Sequence, residues 1–265
     1  MAKGVALITG ASGGIGAELA TLCAASGYGL VLVARSSEKL EPMAAALSRS
    51  HGVAARALPA DLADPGAPPA IFGALEGRAP EILINNAGFG LRGAFAEIDW
   101  EAEARLMQVN MVALAHLIKL FLPGMLARRS GRILNVASTA AFLPGPFMAM
   151  YYASKAFVLS LSEAVANEVR GSGVTVTALC PGPTGTGFSQ TAGLSDSPLF
   201  RGPVMTAAEV ARQGYQAMMA GKAEWIAGAR NRWMLLGARL APRTMQADVA
   251  RGLNSSVQSR KARDD

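Results

Sequence analysis

The chain has 265 residues, of which 51% are hydrophobic and 17% are charged, and its formal net charge is +6. This composition excludes a disordered polyelectrolyte and provides enough apolar side chains to bury the core of one domain. The positive charge is concentrated toward the C-terminus, where residues 221–265 contain nine Lys or Arg against four Asp or Glu.

Short β-rich segments alternate with helical segments along the chain. Most predicted strands are continuous apolar runs, which is typical of strands buried on both faces of a parallel sheet. The alternation predicts a single-domain, doubly wound α/β sheet of the Rossmann type, with about seven strands, helices on both faces and ligands beyond the carboxyl ends of the strands. We predict strands at residues 5–9, 29–34, 54–58, 82–85, 132–137, 174–179 and 224–226, and helices that begin near Gly14, Ser37, Gly66, Asp99, Tyr151 and Thr206.

A glycine-rich turn, TGASGGIG, follows the first strand and precedes the first helix. Residues without a Cβ allow a tight turn and close approach of a pyrophosphate, toward which the N-terminal amides of the helix then point. An ordinary structural turn is the alternative, but this position between strand and helix favours a nucleotide site. The candidate binding residues are Gly10, Ser12, Gly13, Gly14, Ile15 and Gly16.

The second strand ends in Ala34 and Arg35, where an NAD site usually carries an acid that binds the ribose 2′-hydroxyl. A guanidinium can instead bind a 2′-phosphate through charge-assisted bonds. We therefore expect NADP(H) to be preferred over NAD(H). The alternative is that Arg35 is simply a solvent-facing loop residue.

Polar residues also follow the third and fourth strands. Asp61 could accept a hydrogen bond from the adenine amine, with Leu62 beside the ring, although an Asp that caps a helix fits equally. The segment Asn86-Ala87-Gly88 can tie strand ends together through the amide side chain and let backbone approach the cofactor.

Tyr151 and Lys155 are four residues apart, so they share one face of a helix. A lysine ammonium and an oxidised nicotinamide would both favour the phenolate, bringing the phenol closer to the working pH of an acid–base catalyst. Tyr152 lacks this spacing and is interpreted as packing or pocket wall.

Ser138, at the end of the fifth strand, could hold a substrate oxygen, or could only cap a turn. Asn110, in an apolar helix, requires a partner or a bound water.

The ordered set TGASGGIG, NNAG, Asn110, Ser138, YxxxK at Tyr151–Lys155 and Pro181-Gly182 resembles the short-chain dehydrogenase/reductase family over residues 3–226. The resemblance implies hydride transfer between a nicotinamide and a carbonyl or alcohol carbon. It implies Tyr151 as general acid/base, Lys155 as ribose ligand and pKa tuner, Ser138 as carbonyl orienter and Asn110 as proton-relay residue. It also implies that a segment containing Pro181, Gly182 and Thr184 lies over the nicotinamide. A non-catalytic NADP-binding regulatory protein is the alternative.

The substrate side is predicted to be apolar. Residues 185–204 contain spaced large apolar residues without a clear period, as in a substrate lid, with a disordered surface loop as the alternative. We expect a small hydrophobic ketone, aldehyde or 3-oxoacyl substrate, or the corresponding alcohol. The candidate pocket residues are Ser138, Leu143, Phe147, Met148 and Phe188.

We divide the chain into a catalytic domain at residues 1–228, a basic amphipathic helical extension at 229–255 that Pro242 should break or kink, and a disordered tail at 256–265. The extension is expected to serve packing or oligomerisation rather than membrane contact. The resemblance to the family implies a homodimer or homotetramer formed through the helices near Asp99 and Tyr151. No stacking surface favours nucleic-acid binding.

Cys23 and Cys180 lie in apolar contexts and are predicted to be small core residues, with no metal site. No signal-peptide pattern opens the sequence, and the most apolar helix is interrupted by His116, Lys119 and Pro123, short of the roughly 20 residues that span a bilayer. A cytoplasmic location is therefore expected.

Overall fold

A computed structural model describes residues 3–194, 196–200, 202 and 204–255. Its centre is one sheet of seven strands, all paired in parallel, in the order β3-β2-β1-β4-β5-β6-β9. The order reverses between β1 and β4, which opens a crevice at their carboxyl ends. The strands are β1 (Val5–Thr9), β2 (Gly29–Ala34), β3 (Ala55–Pro59), β4 (Ile82–Asn85), β5 (Gly131–Val136), β6 (Val174–Cys180) and β9 (Glu224–Ile226), while β7 (Thr184–Gly185) and β8 (Met205–Thr206) form a separate two-stranded pair.

Helices cover both faces of the sheet, which confirms the predicted fold class. Leu7 of β1 packs in one buried cluster with α3, α5 and α6, whereas its neighbours Ala6 and Ile8 pack in a second cluster with α1, α2 and α8. Alternation along a strand sends successive side chains to opposite faces. The helices are α1 (Gly14–Ala25), α2 (Ser37–His51), α3 (Ala67–Ala74), α4 (Trp100–Met107), α5 (Leu114–Ala127), α6 (Ala149–Glu168), α7 (Phe188–Thr191), α8 (Ala207–Met219), α9 (Ala229–Leu240) and α10 (Arg243–Asn254).

The predicted element boundaries agree with the observed ones to within two residues, and several coincide with them. The largest difference is at α6, which begins at Ala149 rather than at Tyr151. Phe147 has φ of 65°, a left-handed conformation that a right-handed helix does not contain, so the helix starts just beyond it. Tyr151 and Lys155 therefore both lie inside the first turns of α6.

The C-terminal extension consists of two helices instead of one. Pro242 directly precedes α10, where its lack of an N–H costs nothing, and it separates α10 from α9. The predicted break at Pro242 is therefore present. The tail at residues 256–265, predicted to be disordered, lies outside the described residues.

One continuous helical stretch, Trp100–Ala127, joins α4, a π-helical segment and α5. By length and composition alone it could cross a membrane, although the sequence suggested no run of that kind, and 39% of its most apolar window is buried within the chain. A core helix of a soluble protein passes the same test.

Both cysteines are buried, as predicted. Burial raises the pKa of the Cys23 thiol to about 12, so it stays protonated and unreactive near neutral pH. Among the described residues, no cluster of three or more His, Cys, Asp or Glu could hold a metal ion.

Candidate active site

A cavity of about 1060 Å³ opens at the carboxyl ends of the central strands. The glycine-rich turn, the ends of β4, β5 and β6, the first turns of α6, the lid and the C-terminal helices all contribute to its wall. Most of the predicted site residues line it: Gly10, Ser12, Gly13, Gly14, Ile15, Asn86, Ala87, Gly88, Ser138, Leu143, Met148, Tyr151, Lys155, Pro181, Gly182, Thr184 and Phe188. Six others lie outside its wall: Gly16, Arg35, Asp61, Leu62, Asn110 and Phe147.

The glycine-rich turn leaves room for an anion at the start of α1. A Cβ on Gly13 would meet nothing within 4 Å, and α1 has neither a side-chain cap nor an acidic residue in its first turn. The N-terminal amides of α1 are thus available to a phosphate, whose charge the helix dipole favours. This open cradle fits the pyrophosphate of a dinucleotide.

Other glycines of the turn serve close packing. A Cβ on Gly16 would lie 2.3 Å from the Gly10 carbonyl oxygen, so Gly16 allows α1 to approach the turn. Gly10 has φ of 64°, and its carbonyl accepts a 3.1 Å hydrogen bond from the Asn86 amide, which also donates to the Thr9 carbonyl at 3.0 Å. The Thr9 hydroxyl in turn accepts from the backbone N–H of Asn86 and of Ala87. Asn86 therefore ties β1 to β4, as its sequence position predicted, and sequence reasoning missed Thr9.

Cations lie beyond β2, on the nucleotide side of the cavity. Arg35 is exposed at the end of the strand, outside the cavity wall, so its phosphate contact stays a prediction. Lys39, in the first turns of α2, lines the cavity together with the glycine-rich turn, and sequence reasoning missed it. Its position four residues after Arg35, at the start of the predicted helix, was the available signal.

Asp61 and Leu62 make structural contacts, although Asp61 does not cap a helix as the alternative to adenine binding supposed, because α3 begins only at Ala67. The Asp61 carboxylate accepts from the Ala63 N–H at 3.0 Å and lies 3.4 Å from the Arg105 guanidinium. Leu62 is buried in the core. Neither side chain lines the cavity, so the structure does not place them at an adenine site.

Tyr151 stands in the wall of the cavity between two aromatic rings. Its ring centroid lies 5.3 Å from that of Phe188 and 6.1 Å from that of Tyr152. Burial raises the pKa of the Tyr151 phenol above its usual range, and the hydrogen bond to Ser138 opposes this rise only in part. The phenol is therefore protonated at neutral pH.

Ser138 caps the 3-10 turn Thr139–Phe142 that follows β5. Its hydroxyl accepts a 3.1 Å hydrogen bond from the Ala140 N–H and donates to the Pro181 carbonyl at 3.4 Å. The same side chain therefore caps a turn and lies beside the Tyr151 phenol, while its binding of a substrate oxygen stays a prediction.

Lys155 is buried next to the tyrosine. Its ammonium donates to the Val136 carbonyl at 2.8 Å and lies 5.8 Å from the centroid of the Tyr151 ring. Burial lowers the pKa of Lys155 to about 8, although the Cys180 thiol opposes this shift. The sequence led us to expect that this lysine lowers the phenol pKa, but in the protein alone burial is the larger effect and the phenol pKa rises.

Asn110 lies in the π-helical segment Gln108–Ala113, a local distortion that often marks functional sites. Its amide exchanges two hydrogen bonds with the Phe89 backbone and donates to the Ser154 hydroxyl at 3.1 Å. A Cβ on Gly88 would lie 3.1 Å from Asn110 Oδ1 and 3.4 Å from Lys155 Nζ, so both atoms face one small space. This geometry suits the water that the sequence suggested between them.

Buried polar side chains behind the site were missed from the sequence. Ser154 accepts from Asn110 and donates to the Tyr151 carbonyl at 2.7 Å, which couples α6 to the π-helical segment. Deeper in the core, the Asn135 amide accepts from Asn85 and donates to the Ser162 hydroxyl, each at 2.9 Å. These bonds fix the ends of β4 and β5 against α6.

The predicted apolar wall is present except at one residue. Leu143, Met148 and Phe188 line the cavity. Phe147 does not, because its left-handed backbone directs the ring to the Arg251 guanidinium, 5.0 Å from the ring centroid. The prediction that Phe147 lines the substrate pocket therefore disagrees with the structure.

The C-terminal helices also line the cavity, which the sequence did not suggest. The apolar spacing of α9 and α10 indicated a buried face but not what that face packs against. Residues from both helices form the outer wall: Asn231, Met234, Gly237, Ala238, Ala241, Met245, Gln246, Val249, Ala250 and Leu253.

Comparison with known proteins agrees with this geometry. The family model for short chain dehydrogenases matches residues 4–196. The chain belongs to this family, which confirms the resemblance found in the motifs.

Several relatives have known names. A very-long-chain 3-oxoacyl-CoA reductase of Phaeosphaeria nodorum is 37% identical over 177 residues, covering 64% of this chain and 52% of that protein. The chain thus spans about half the length of the curated reductases of this kind that it matches. A 7beta-hydroxysteroid dehydrogenase of Collinsella aerofaciens is 32% identical, covering 67% of this chain and 68% of that protein.

Solved structures give longer alignments. A short-chain dehydrogenase from Sphingobium yanoikuyae in complex with NADPH superposes with a TM-score of 0.81 at 37% identity, covering 89% of this chain and 93% of that one. A bulky-bulky ketone specific alcohol dehydrogenase from Comamonas testosteroni gives 0.77 at 30% identity, covering 90% and 93%.

Proposed function

We propose that the protein is an NADP(H)-dependent oxidoreductase that interconverts a carbonyl group and an alcohol. The observation that carries this proposal is the meeting of the Tyr151 phenol, the Ser138 hydroxyl and the Lys155 ammonium at a cavity that also contains the open cradle of the glycine-rich turn. The Tyr151 phenol can supply a proton, and the cradle formed by the glycine-rich turn fits a dinucleotide.

In the reducing direction, the protein must deliver a proton to the carbonyl oxygen. The bound nicotinamide supplies or accepts the hydride. The Tyr151 phenol, kept protonated by its raised pKa, donates the proton, while the Ser138 hydroxyl binds the same oxygen and stabilises the charge that develops on it. Oxidation of the alcohol uses the same groups in reverse.

Lys155 and Asn110 serve the proton supply. The Lys155 ammonium lies close to the phenol and, with Asn110, faces the small space beside Gly88. A water there would connect the ammonium to solvent and return a proton to Tyr151 after each turnover. Lys155 would also bind the ribose of the cofactor.

The preference for NADP(H) rests on charge beyond β2. Ala34 stands where an acid would repel a 2′-phosphate, and the cations Arg35 and Lys39 lie at the same end of the sheet. A guanidinium and an ammonium can both bind a phosphate dianion. The NADPH complex of the Sphingobium relative supports this assignment.

The substrate is proposed to be a hydrophobic ketone, aldehyde or 3-oxoacyl compound. Aromatic and aliphatic side chains from the lid and the C-terminal helices form the cavity beyond the phenol, among them Phe188, Leu194 and Leu253. Relatives named as a very-long-chain 3-oxoacyl-CoA reductase, a hydroxysteroid dehydrogenase and a bulky-bulky ketone specific alcohol dehydrogenase fit such a substrate.

We also infer a homodimer or homotetramer. Val112 and Leu126 are exposed on the long helical stretch whose apolar window is only 39% buried within one chain. A second copy packing there would cover them. Trp233 and Leu236 of α9 are exposed as well. We propose oligomerisation in preference to membrane contact by this helix. The cytoplasmic location stays a prediction.

The test is an NADPH-oxidation screen over ketones, aldehydes and 3-oxoacyl thioesters, run with the wild-type protein and with Tyr151→Phe. We expect turnover of at least one apolar carbonyl by the wild type and a loss of about 10³-fold or more in the variant, which removes the acid and leaves the ring. NADPH binding, followed by fluorescence, should persist in both.

Turnover by Tyr151→Phe at the wild-type rate would show that Tyr151 is not the general acid/base. NADPH binding without turnover of any carbonyl or alcohol would favour a non-catalytic nucleotide-binding protein.

A further inference from the structure

The last residue of α10, Asn254, is completely buried although it is polar and close to the end of the described chain. Its amide oxygen accepts a 3.2 Å hydrogen bond from the Tyr152 hydroxyl, and its amide nitrogen donates to the Pro146 carbonyl at 3.0 Å. Both partners lie more than 100 residues away in sequence. A buried amide requires such partners, so α10 has a defined docking position.

A second tie joins α10 to the lid. The Ser197 hydroxyl donates to the Leu253 carbonyl at 2.7 Å, and Ser197 is itself completely buried. This bond uses a carbonyl of the last helical turn, which has no partner within the helix. The lid and α10 therefore form one cover over the cavity.

The cover contacts the proposed catalytic tyrosine through two rings. Phe188 of the lid packs on Tyr151 from one side, and Tyr152, held by Asn254, packs on it edge-to-face at 77° from another. The Tyr152 ring is closely seated on Gly145, where a Cβ would come 2.1 Å from it. A shift of α10 would thus be transmitted to the Tyr152 ring.

The same helix forms the outer wall of the cavity. Met245, Val249 and Leu253 lie on one face of α10 and line the cavity beyond the phenol. Releasing the end of α10 would move this wall while leaving the glycine-rich turn and the strand ends in place. The wall contacts the part of a substrate that extends away from the reacting carbonyl.

We propose that Asn254 is a positioning residue that fastens α10 as the outer wall of the substrate cavity and so sets the preference for large apolar substrates. The attachment of α10 by Asn254 does not depend on which reaction the protein catalyses, whereas the effect on substrate preference rests on the proposed function. The two parts are tested separately.

Limited proteolysis tests the fastening without any turnover. Trypsin cleaves after Arg243 and Arg251, both on α10, once that helix is released from the cover. We expect Asn254→Ala to speed cleavage there by about tenfold or more, because a lost buried hydrogen bond shifts a local opening equilibrium by about that factor. Cleavage after Arg49 at the end of α2 is the internal reference, and Asp248→Asn, an exposed change on the same helix, is the matched control.

Unchanged cleavage of α10 in Asn254→Ala would overturn the proposal. Faster cleavage at Arg49 by the same factor would indicate global destabilisation and would also overturn it. If Asn254→Ala does not fold, Tyr152→Phe removes the same hydrogen bond from the other partner and is judged by the same sites.

Kinetics test the effect on substrate preference, with 2-butanone as a small probe and 2-undecanone as a large one. In Asn254→Ala we expect KM for 2-undecanone to rise about fivefold or more relative to KM for 2-butanone, with KM for NADPH unchanged. Equal losses for both ketones would show a merely structural role and contradict the proposal. If the wild type reduces neither ketone, a short and a long apolar compound of the class that the screen identifies replace them, and a screen without any substrate refutes the proposed function while the proteolysis still decides whether Asn254 fastens α10.

Discussion

The two sides of the cavity are built differently. On the nucleotide side, backbone atoms touch one another closely and buried amides join the strands, as where Asn86 binds the carbonyls of Thr9 and Gly10. On the substrate side, apolar side chains on short helices form the wall, and a few polar ties such as Asn254 to Tyr152 fasten them. The first side has little freedom to change shape, whereas the second can change by losing one or two bonds.

This difference separates two tasks. Cofactor binding and proton transfer require fixed distances, and the strand ends provide them because buried side chains such as Asn135 and Asn110 are hydrogen-bonded to other elements. Accommodation of a bulky apolar group requires only a wall of suitable shape. We therefore expect changes on the nucleotide side to alter binding and stability strongly, and changes on the substrate side to alter which substrates are accepted.

Among the changes that bear on cofactor binding, the largest effect is expected at Arg35. Arg35→Asp replaces a cation by an anion where the 2′-phosphate would bind, so the ratio of kcat/KM with NADPH to that with NADH should fall about 10- to 100-fold. Lys39→Glu should move the ratio in the same direction. Steady-state kinetics with both cofactors measure this, and an unchanged ratio in both variants would refute the phosphate contact.

A smaller effect is expected from the packing of the glycine-rich turn. Gly16→Ala places a Cβ 2.3 Å from the Gly10 carbonyl oxygen and should lower the free energy of unfolding by ~1–3 kcal/mol. Gly13→Ala is the matched control, because its Cβ would meet open space in an extended backbone. Thermal unfolding of the two variants compares them, and equal Tm values would show that the turn is looser than the structure indicates.

A change of rate with pH is also expected, and it appears only above pH 8. Lys155 carries its proton below a pKa of about 8 and loses it above, whereas Tyr151 stays protonated throughout this range because its pKa is raised. The kcat/KM for carbonyl reduction should thus be level below pH 8 and fall about tenfold per pH unit above it. Lys155→Met should be slower and level over the same range. A wild-type profile without this fall would mean that the ammonium is not required.

The glycine-rich turn and the strand ends on the nucleotide side were predictable from the sequence, whereas Arg35, Asp61 and Leu62 lie outside the cavity wall. The sequence patterns that predict this part of the site are local. The glycine-rich turn and the pair Tyr151 and Lys155 each involve residues only a few positions apart. The strands were predicted within one or two residues because buried parallel strands are continuous apolar runs.

The substrate side was not predictable to the same degree. The amphipathic spacing of α9 and α10 shows that a face is buried but not that it covers a cavity, and the pairing of Asn254 with Tyr152 spans 102 residues. The pKa of Tyr151 depends on burial by side chains from the lid, so its direction could not be obtained from the spacing to Lys155 alone. Phe147 was misplaced because its left-handed backbone has no signal in the sequence.

The most direct test of the account is the fate of the hydrogen carried by the cofactor. A carbonyl compound that oxidises NADPH in the screen is reduced with NADPH carrying deuterium at both C4 positions in ordinary water, and then with ordinary NADPH in heavy water. We predict deuterium on the carbinol carbon of the product in the first experiment and none on that carbon in the second. Deuterium on that carbon from heavy water, or none from the cofactor, would contradict hydride transfer at this site.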